Sequence, residues 1–288
     1  MGGSNLASGI LKKALTHRLI IEHRDYGLPN FPEALLQQCL VIVSSYSGNT
    51  EEALDAFDSA LELGLPLAAV SVGGRLIEKA KTQGVPYVQI PDTGLQPRSA
   101  LGFSLLALLK LLGEEAVLRE TEGLQYQLKP QDWEASAKDL ALKIKDKVPI
   151  IYASLSNLAI AHIWKVTFNE TGKIPAFYNV FPELNHNEMA SFGATPQSQP
   201  LAEKFHFIFL KDEDDDPRIA KRLDKCQKIY GDRGLPVTVL NLEGQSLLDK
   251  IFNSAILSAW TAYYTAELYG ADPETMPLVE EFKKLIRE

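Results

Sequence analysis

Val41-Ile42-Val43-Ser44-Ser45-Tyr46-Ser47-Gly48-Asn49-Thr50-Glu51-Glu52 runs an apolar strand into a hydroxyl-rich turn that opens directly into a helix. The first backbone N–H groups of a helix have no partner within it and carry the positive end of its dipole. An anion fits there. Ser45, Ser47 and Thr50 add hydroxyl donors, and Gly48 removes a side chain so that the backbone can come close to a ligand. None of these groups is charged, and the lysine that follows the glycines of a nucleotide loop is missing. The junction therefore reads as a holder for a phosphorylated metabolite. A plain helix start, with Asn49 or Thr50 as N-cap and Glu51 and Glu52 facing the dipole, explains part of the pattern. It does not explain Ser45 and Ser47 upstream.

The same rhythm continues on both sides. Leu40 to Ser44 and Leu67 to Val72 read as strands, with a helix from Thr50 to Leu63 between them that presents Leu54, Phe57 and Leu61 on one face and stops at Gly64. A helix over Leu76 to Thr82, a strand at Tyr87 to Ile90 and an apolar helix over Ser99 to Leu112 complete residues 1–113. Residues 114–147 turn polar and read as a helical connector. Strands resume in residues 148–288 at Pro149 to Ala153, Ala176 to Val180, Phe205 to Leu210 and Val237 to Leu242. Such alternation predicts an α/β protein with two domains, each a parallel sheet flanked by helices. Ser154, Ser156 and Asn157 follow the first strand of the second half much as Ser45 and Ser47 follow theirs, but the Gly-Asn-Thr continuation is absent. Phosphate binding is therefore assigned to the first half alone.

Composition narrows the function. With 288 residues, 45% hydrophobic and 23% charged, the chain can bury two modest cores. A net charge of -8 without a Lys/Arg cluster argues against nucleic acid. Cys39 and Cys226 are too few for a disulfide framework and read as buried thiols. No apolar run approaches the roughly 20 residues a membrane span needs, and a cytoplasmic protein is expected. The acidic run Asp212 to Asp216 reads as a solvated loop before a helix near Pro217.

Three further segments carry candidate chemistry. Met1-Gly2-Gly3-Ser4 suits a backbone turn over a ligand at a helix start, against the plainer reading of a loose terminus. Arg98 follows Pro97 at the start of an apolar helix, where the dipole disfavours a cation; it calls for an anion nearby or a surface salt bridge. Glu170 ends a helix just before Gly172, where its carboxylate opposes the dipole, a cost that a general base carries. His186, flanked by Asn185 and Asn187, has the character to move a proton near neutrality. Metal binding by His186 with Glu183 or Glu188 competes, but no second histidine stands at ligand spacing. His17, His23, His162 and His206 read as structural or exposed.

Ser-Tyr-Ser-Gly-Asn-Thr-Glu-Glu after a buried strand resembles the sugar isomerase (SIS) domain, a flavodoxin-like module that binds phosphosugars. Met-Gly-Gly-Ser, Pro-Arg-Ser-Ala-Leu-Gly, Phe-Asn-Glu and Glu-Leu-Asn-His-Asn-Glu, in that order, make the whole chain similar to the bifunctional phosphoglucose/phosphomannose isomerases. That resemblance implies two flavodoxin-like SIS domains. It implies a cradle for phosphate and substrate from Gly2, Gly3, Ser4, Ser45, Ser47 and Thr50, and Arg98 beside the enediolate. Glu170 would move the proton between the first and second carbons, and His186 would open the ring from across a homodimer interface. Lys283 would contact substrate from the last helix, with Lys284 one residue away in register, and Thr275 is a further candidate for accepting mannose 6-phosphate. No cofactor and no metal is implied. In that family a strand precedes the glycine turn, so the first domain is expected to lack it.

Two functional readings follow. An aldose–ketose isomerase needs the cradle, Glu170 and His186. A phosphosugar-binding sensor that lost turnover needs only the cradle, so both proton-transfer residues favour the enzyme.

Overall fold

Val41 to Ser44 and Leu67 to Ser71 are short apolar runs bounded by turns, and both become parallel strands. The computed structural model describes residues 2–193 and 195–286, so Met1 of the opening turn lies outside it. The chain divides into two units, Met1–Gly123 and Leu124–Glu288, and the stretch 114–147 is shared between them. Its helix Glu115–Glu122 belongs to the first unit, and Leu124–Gln127 and Glu134–Lys143 belong to the second.

In the first unit, strands β1 (Val41–Ser44), β2 (Leu67–Ser71) and β3 (Tyr87–Gln89) form a parallel sheet in the order β1-β2-β3, with Val41 opposite Leu67 and Ala69 opposite Tyr87. Every residue of β2 is buried, as expected of a central parallel strand covered on both faces. Leu54, Phe57 and Ala60 of the helix Glu51–Glu62 pack on one face with Val43, Leu67, Ala69, Leu76 and Ala80. Leu61, predicted to face that core, is exposed instead. Ala60 takes the place because the buried stripe of this helix runs at spacings of three and does not reach one position further. The helix Leu6–Ala14 packs against Leu101–Leu112.

The second unit carries β4 (Val148–Ser154), β5 (Phe177–Phe181), β6 (Phe205–Lys211) and β7 (Val237–Asn241), all parallel, in the order β5-β4-β6-β7. The chain leaves β4 for β5 on one side and returns to β6 on the other, which opens a crevice beyond the carboxyl ends of β4 and β6. Aromatic rings fill the core on one face: Tyr152, Phe181, Phe192, Phe207, Phe209 and Tyr230. On the other face Trp164 of the helix Leu158–Glu170 donates to Ser254 Oγ of Leu247–Leu268 at 2.9 Å.

At that crevice the first residue of the acidic run departs from the solvated loop expected there. Asp212 is 3% exposed, and its carboxylate accepts from Lys250 Nζ at 2.9 Å and Asn157 Nδ2 at 3.1 Å. A buried carboxylate needs such partners, and a lysine 38 residues further along the chain supplies the main one. Glu213 and Asp214 are solvated as expected, with Lys250 Nζ 3.2 and 2.7 Å away. Cys226 is buried as expected, whereas Cys39 is only partly so.

Candidate active site

The turn after β1 is held by its own hydroxyls and by the turn after β2. Ser45 is buried; its Oγ lies 2.9 Å from Thr50 Oγ1 and accepts from Gly48 N at 3.2 Å. Ser47 is exposed and accepts from Asn49 N at 3.2 Å, which leaves its hydroxyl proton free to donate outward. Thr50 stands at the N-cap of Glu51–Glu62, yet its side chain does not cap the helix. The plain-cap reading therefore fails for this hydroxyl, which serves Ser45 instead.

Ser71, at the end of β2, donates to the carbonyls of Tyr46 at 3.1 Å and Gly73 at 2.9 Å. Gly48 sits at φ 68°, and a Cβ there would lie 1.9 Å from the Gly73 carbonyl oxygen. Only glycine fits that approach. Leu76 N donates to Gly48 O at 2.9 Å, and Arg75 N to Asn49 Oδ1 at 3.2 Å, so the two turns form one interlocked shelf. Ser71 was not among the candidates read from the sequence; the hydroxyl closing an apolar strand before Gly73-Gly74 was the available signal.

The opening turn joins this shelf. Gly2 to Asn5 form a 3-10 turn that leads into the helix Leu6–Ala14. Ser4 is buried, and its Oγ accepts from Tyr46 N at 3.0 Å. At Gly3 a Cβ would stand 2.4 Å from Arg98 N and 2.6 Å from Arg98 Cα. Arg98 lies in the turn ahead of the helix, which starts at Leu101 and not at Ser99, and is 8% exposed. Such burial sets it apart from a solvated surface arginine. Three motifs far apart in sequence therefore meet in the first unit: the glycine turn, the hydroxyl loop and the arginine turn.

In the second unit Glu170 is the last residue of Leu158–Glu170. Lys173 Nζ donates to the Glu170 carbonyl at 2.5 Å and also to the Thr275 carbonyl. Glu170 and Thr275 thus share one lysine, which sequence reasoning missed. Thr275 is exposed and hydrogen-bonds Asp272 through its side chain. Lys283 projects from Pro277–Leu285 and pairs with Glu280 at 2.8 Å.

His186 is exposed at the close of the short turn Glu183–Asn185. Buried Leu184 pins that turn to the core. Glu188 anchors the other side, accepting from Tyr152 OH at 2.5 Å and Asn179 Nδ2 at 2.6 Å. Burial pushes the Tyr152 hydroxyl well above its ordinary range, so it stays protonated as a donor. Glu183 accepts from Asn187 at 2.7 Å. Both carboxylates that would have made His186 a metal site are thus spent on shaping the loop. Among the described residues, no group of three or more His, Cys, Asp or Glu side chains stands in a metal-holding arrangement. Nor is any described helix long and apolar enough to cross a membrane.

Such an arrangement offers neutral donors for an anion in one unit, and a helix-terminal glutamate and an exposed imidazole in the other. Residues 134–286 match the family model for the bacterial phospho-glucose isomerase C-terminal SIS domain. The bifunctional phosphoglucose/phosphomannose isomerase of Aquifex aeolicus is 34% identical, over 100% of this chain and 89% of its own length. The enzyme of the same name from Caldicellulosiruptor bescii is also 34% identical, over 100% of this chain and 88% of its own. A hypothetical protein of Thermus thermophilus shares the fold with a TM-score of 0.72 at 18% identity, covering 100% of this chain and 81% of that one.

Proposed function

This chain belongs to the bifunctional phosphoglucose/phosphomannose isomerase family, and we propose that it is an aldose–ketose isomerase in which separate residues bind the phosphate, open the ring and move the proton. It interconverts glucose 6-phosphate, and mannose 6-phosphate, with fructose 6-phosphate. The observation that carries this reading is a likeness that spans the whole chain and both units.

The hydroxyls and backbone donors of Gly2, Gly3, Ser4, Ser45, Ser47 and Thr50 hold the phosphate, remote from the reacting carbons, and so orient the sugar. His186 transfers a proton between ring oxygen and anomeric hydroxyl, which opens the ring. Glu170 removes the proton from the carbon next to the carbonyl and returns it to the neighbouring carbon; the electron pair shifts through an enediolate, and no oxidant or reductant is consumed. Arg98 stabilises the negative oxygen of that intermediate, and Lys283 contacts the substrate. Because the two C-2 epimers share one enediol, returning the proton to either face of C-2 yields glucose or mannose 6-phosphate. Thr275 contributes to acceptance of the mannose epimer.

Exposure of His186 supports a role across a homodimer interface, and a soluble metabolite as substrate supports a cytoplasmic location. The test is turnover of fructose 6-phosphate to glucose and mannose 6-phosphates beside a Glu170→Gln variant. Removing the base should lower kcat by about 100-fold or more with an unchanged thermal midpoint. Equal turnover by the variant would remove Glu170 from the mechanism.

A further inference from the structure

We infer that Lys173 is a positioning residue for Glu170, its ammonium fastening the end of the Leu158–Glu170 helix to the loop that carries Thr275. The inference rests on the reading of Glu170 as the proton carrier.

Two independent observations carry it. Lys173 adopts φ 58°, a left-handed backbone otherwise seen among described non-glycine residues only at Asp146. An L side chain is sterically strained there, and it persists only where the surroundings over-determine it. The surroundings are the second observation. The ammonium donates to the carbonyl of Glu170, a helix-terminal oxygen that has no partner within the helix, and to the carbonyl of Thr275, 102 residues away in sequence. Turning the backbone left-handed at residue 173 brings the side chain back onto the helix that has just ended. Gly172 N and Thr171 N both donate to Thr167 O, which closes the last turn beneath it.

The loop side is organised by the same charge. Asp272 accepts from Glu274 N at 2.9 Å. That backbone bond, then the Thr275 side chain, and further down the Lys173 ammonium, hold its carboxyl below the ordinary range. One cation therefore fixes the main chain of the base and the main chain of the candidate epimer-selecting threonine. The lysine holds these residues by their carbonyls, so its effect on proton transfer runs through the main chain. A catalytic carboxylate works only within about 0.5 Å of its productive position, so releasing the clamp should cost rate more than binding. The phosphate cradle lies in other elements and keeps its geometry.

Lys173→Gly separates the clamp from the backbone, because glycine accepts φ 58° without strain, and Lys173→Asn introduces a second residue tolerant of that conformation. Steady-state kinetics with fructose 6-phosphate and thermal melts are measured on the parent, both variants and Lys173→Arg. The expected result is a fall in kcat of about tenfold or more in the Gly and Asn variants, with KM held within about twofold. The thermal midpoint should not fall in the Gly variant, and Arg should recover most of the rate. A working parent whose Gly variant turns over at the parental rate overturns the inference alone. Equal losses of rate and thermal midpoint in all three variants make the lysine a mere fold-holding residue and overturn it too. A parent without turnover overturns the isomerase reading and the positioning role with it.

Discussion

The Ser4 hydroxyl accepts the backbone N–H of Tyr46 at 3.0 Å, joining the opening turn to the middle of the hydroxyl loop across 42 residues of sequence. Ser4 is buried and Tyr46 half-buried, so Ser4→Ala leaves the Tyr46 N–H without its acceptor, a cost of about 1–3 kcal/mol. Because this bond sets the loop's position, the variant should raise KM for fructose 6-phosphate while kcat changes less. Steady-state kinetics beside a chemical melt check it; an unchanged KM would mean that the phosphate does not use the loop in this position.

Gly3 makes a sharper case, since its Cβ would fall 2.4 Å from Arg98 N and must displace main chain, not a side-chain tip. Gly3→Ala should separate the opening turn from the arginine turn and lower kcat/KM by about tenfold or more. The same substitution at Gly64, which has open space at φ 63°, carries strain but no clash. Its kcat/KM should stay near the parental value although its thermal midpoint falls. Similar losses of activity at both glycines would refute the close-contact argument.

Much of the fold was readable because parallel strands covered on both faces are continuous apolar runs, as in Leu67–Ser71 and Phe205–Lys211. What was unreadable depends on partners distant in sequence. Nothing around Asp212 announces that Lys250 will neutralise it in a buried crevice, so it reads as solvated like the exposed Glu213 and Asp214 beside it. Nothing around Lys173 announces two carbonyl acceptors, one of them 102 residues on. Gly3 and Arg98 were each singled out, but a turn next to a turn has no periodic signature, and their contact became visible only in three dimensions. Helical spacing assigns Leu61 to the core, yet the buried stripe of its helix ends at Ala60 and Leu61 is exposed.

Lys250 provides a stability test of that misread crevice. Its ammonium binds Asp212 at 2.9 Å and Asp214 at 2.7 Å, and both Lys250 and Asp212 are less than a tenth exposed. Lys250→Met strands the buried Asp212 charge, to which the Asn157 amide donates but brings no compensating cation, and should cost about 3–5 kcal/mol. Adding Asp212→Leu removes the stranded charge and should regain much of the loss. Urea midpoints of the parent, the two single variants and the double variant give the coupling; additive losses would show that the pair does not act as one.

His206 sets how the second unit responds to acid. It is 4% exposed on β6, with Nε2 2.8 Å from Thr238 Oγ1, and burial lowers its pKa from 6.5 to about 4. Between those two values the unfolded chain binds a proton that the folded chain refuses. Stability is therefore fully present above the unfolded value and is lost as pH falls towards 4, with no further loss from this group below it. The contribution at neutral pH is at most about 3 kcal/mol. His206→Gln keeps a donor for Thr238 without the titration, so the gap in stability between parent and variant should change with pH, the parent falling faster between pH 6.5 and 4. Denaturant midpoints at about pH 7 and about pH 5, on either side of the unfolded value, measure this. Parallel pH profiles for the two proteins would mean that the imidazole takes up its proton without leaving its buried place on the strand.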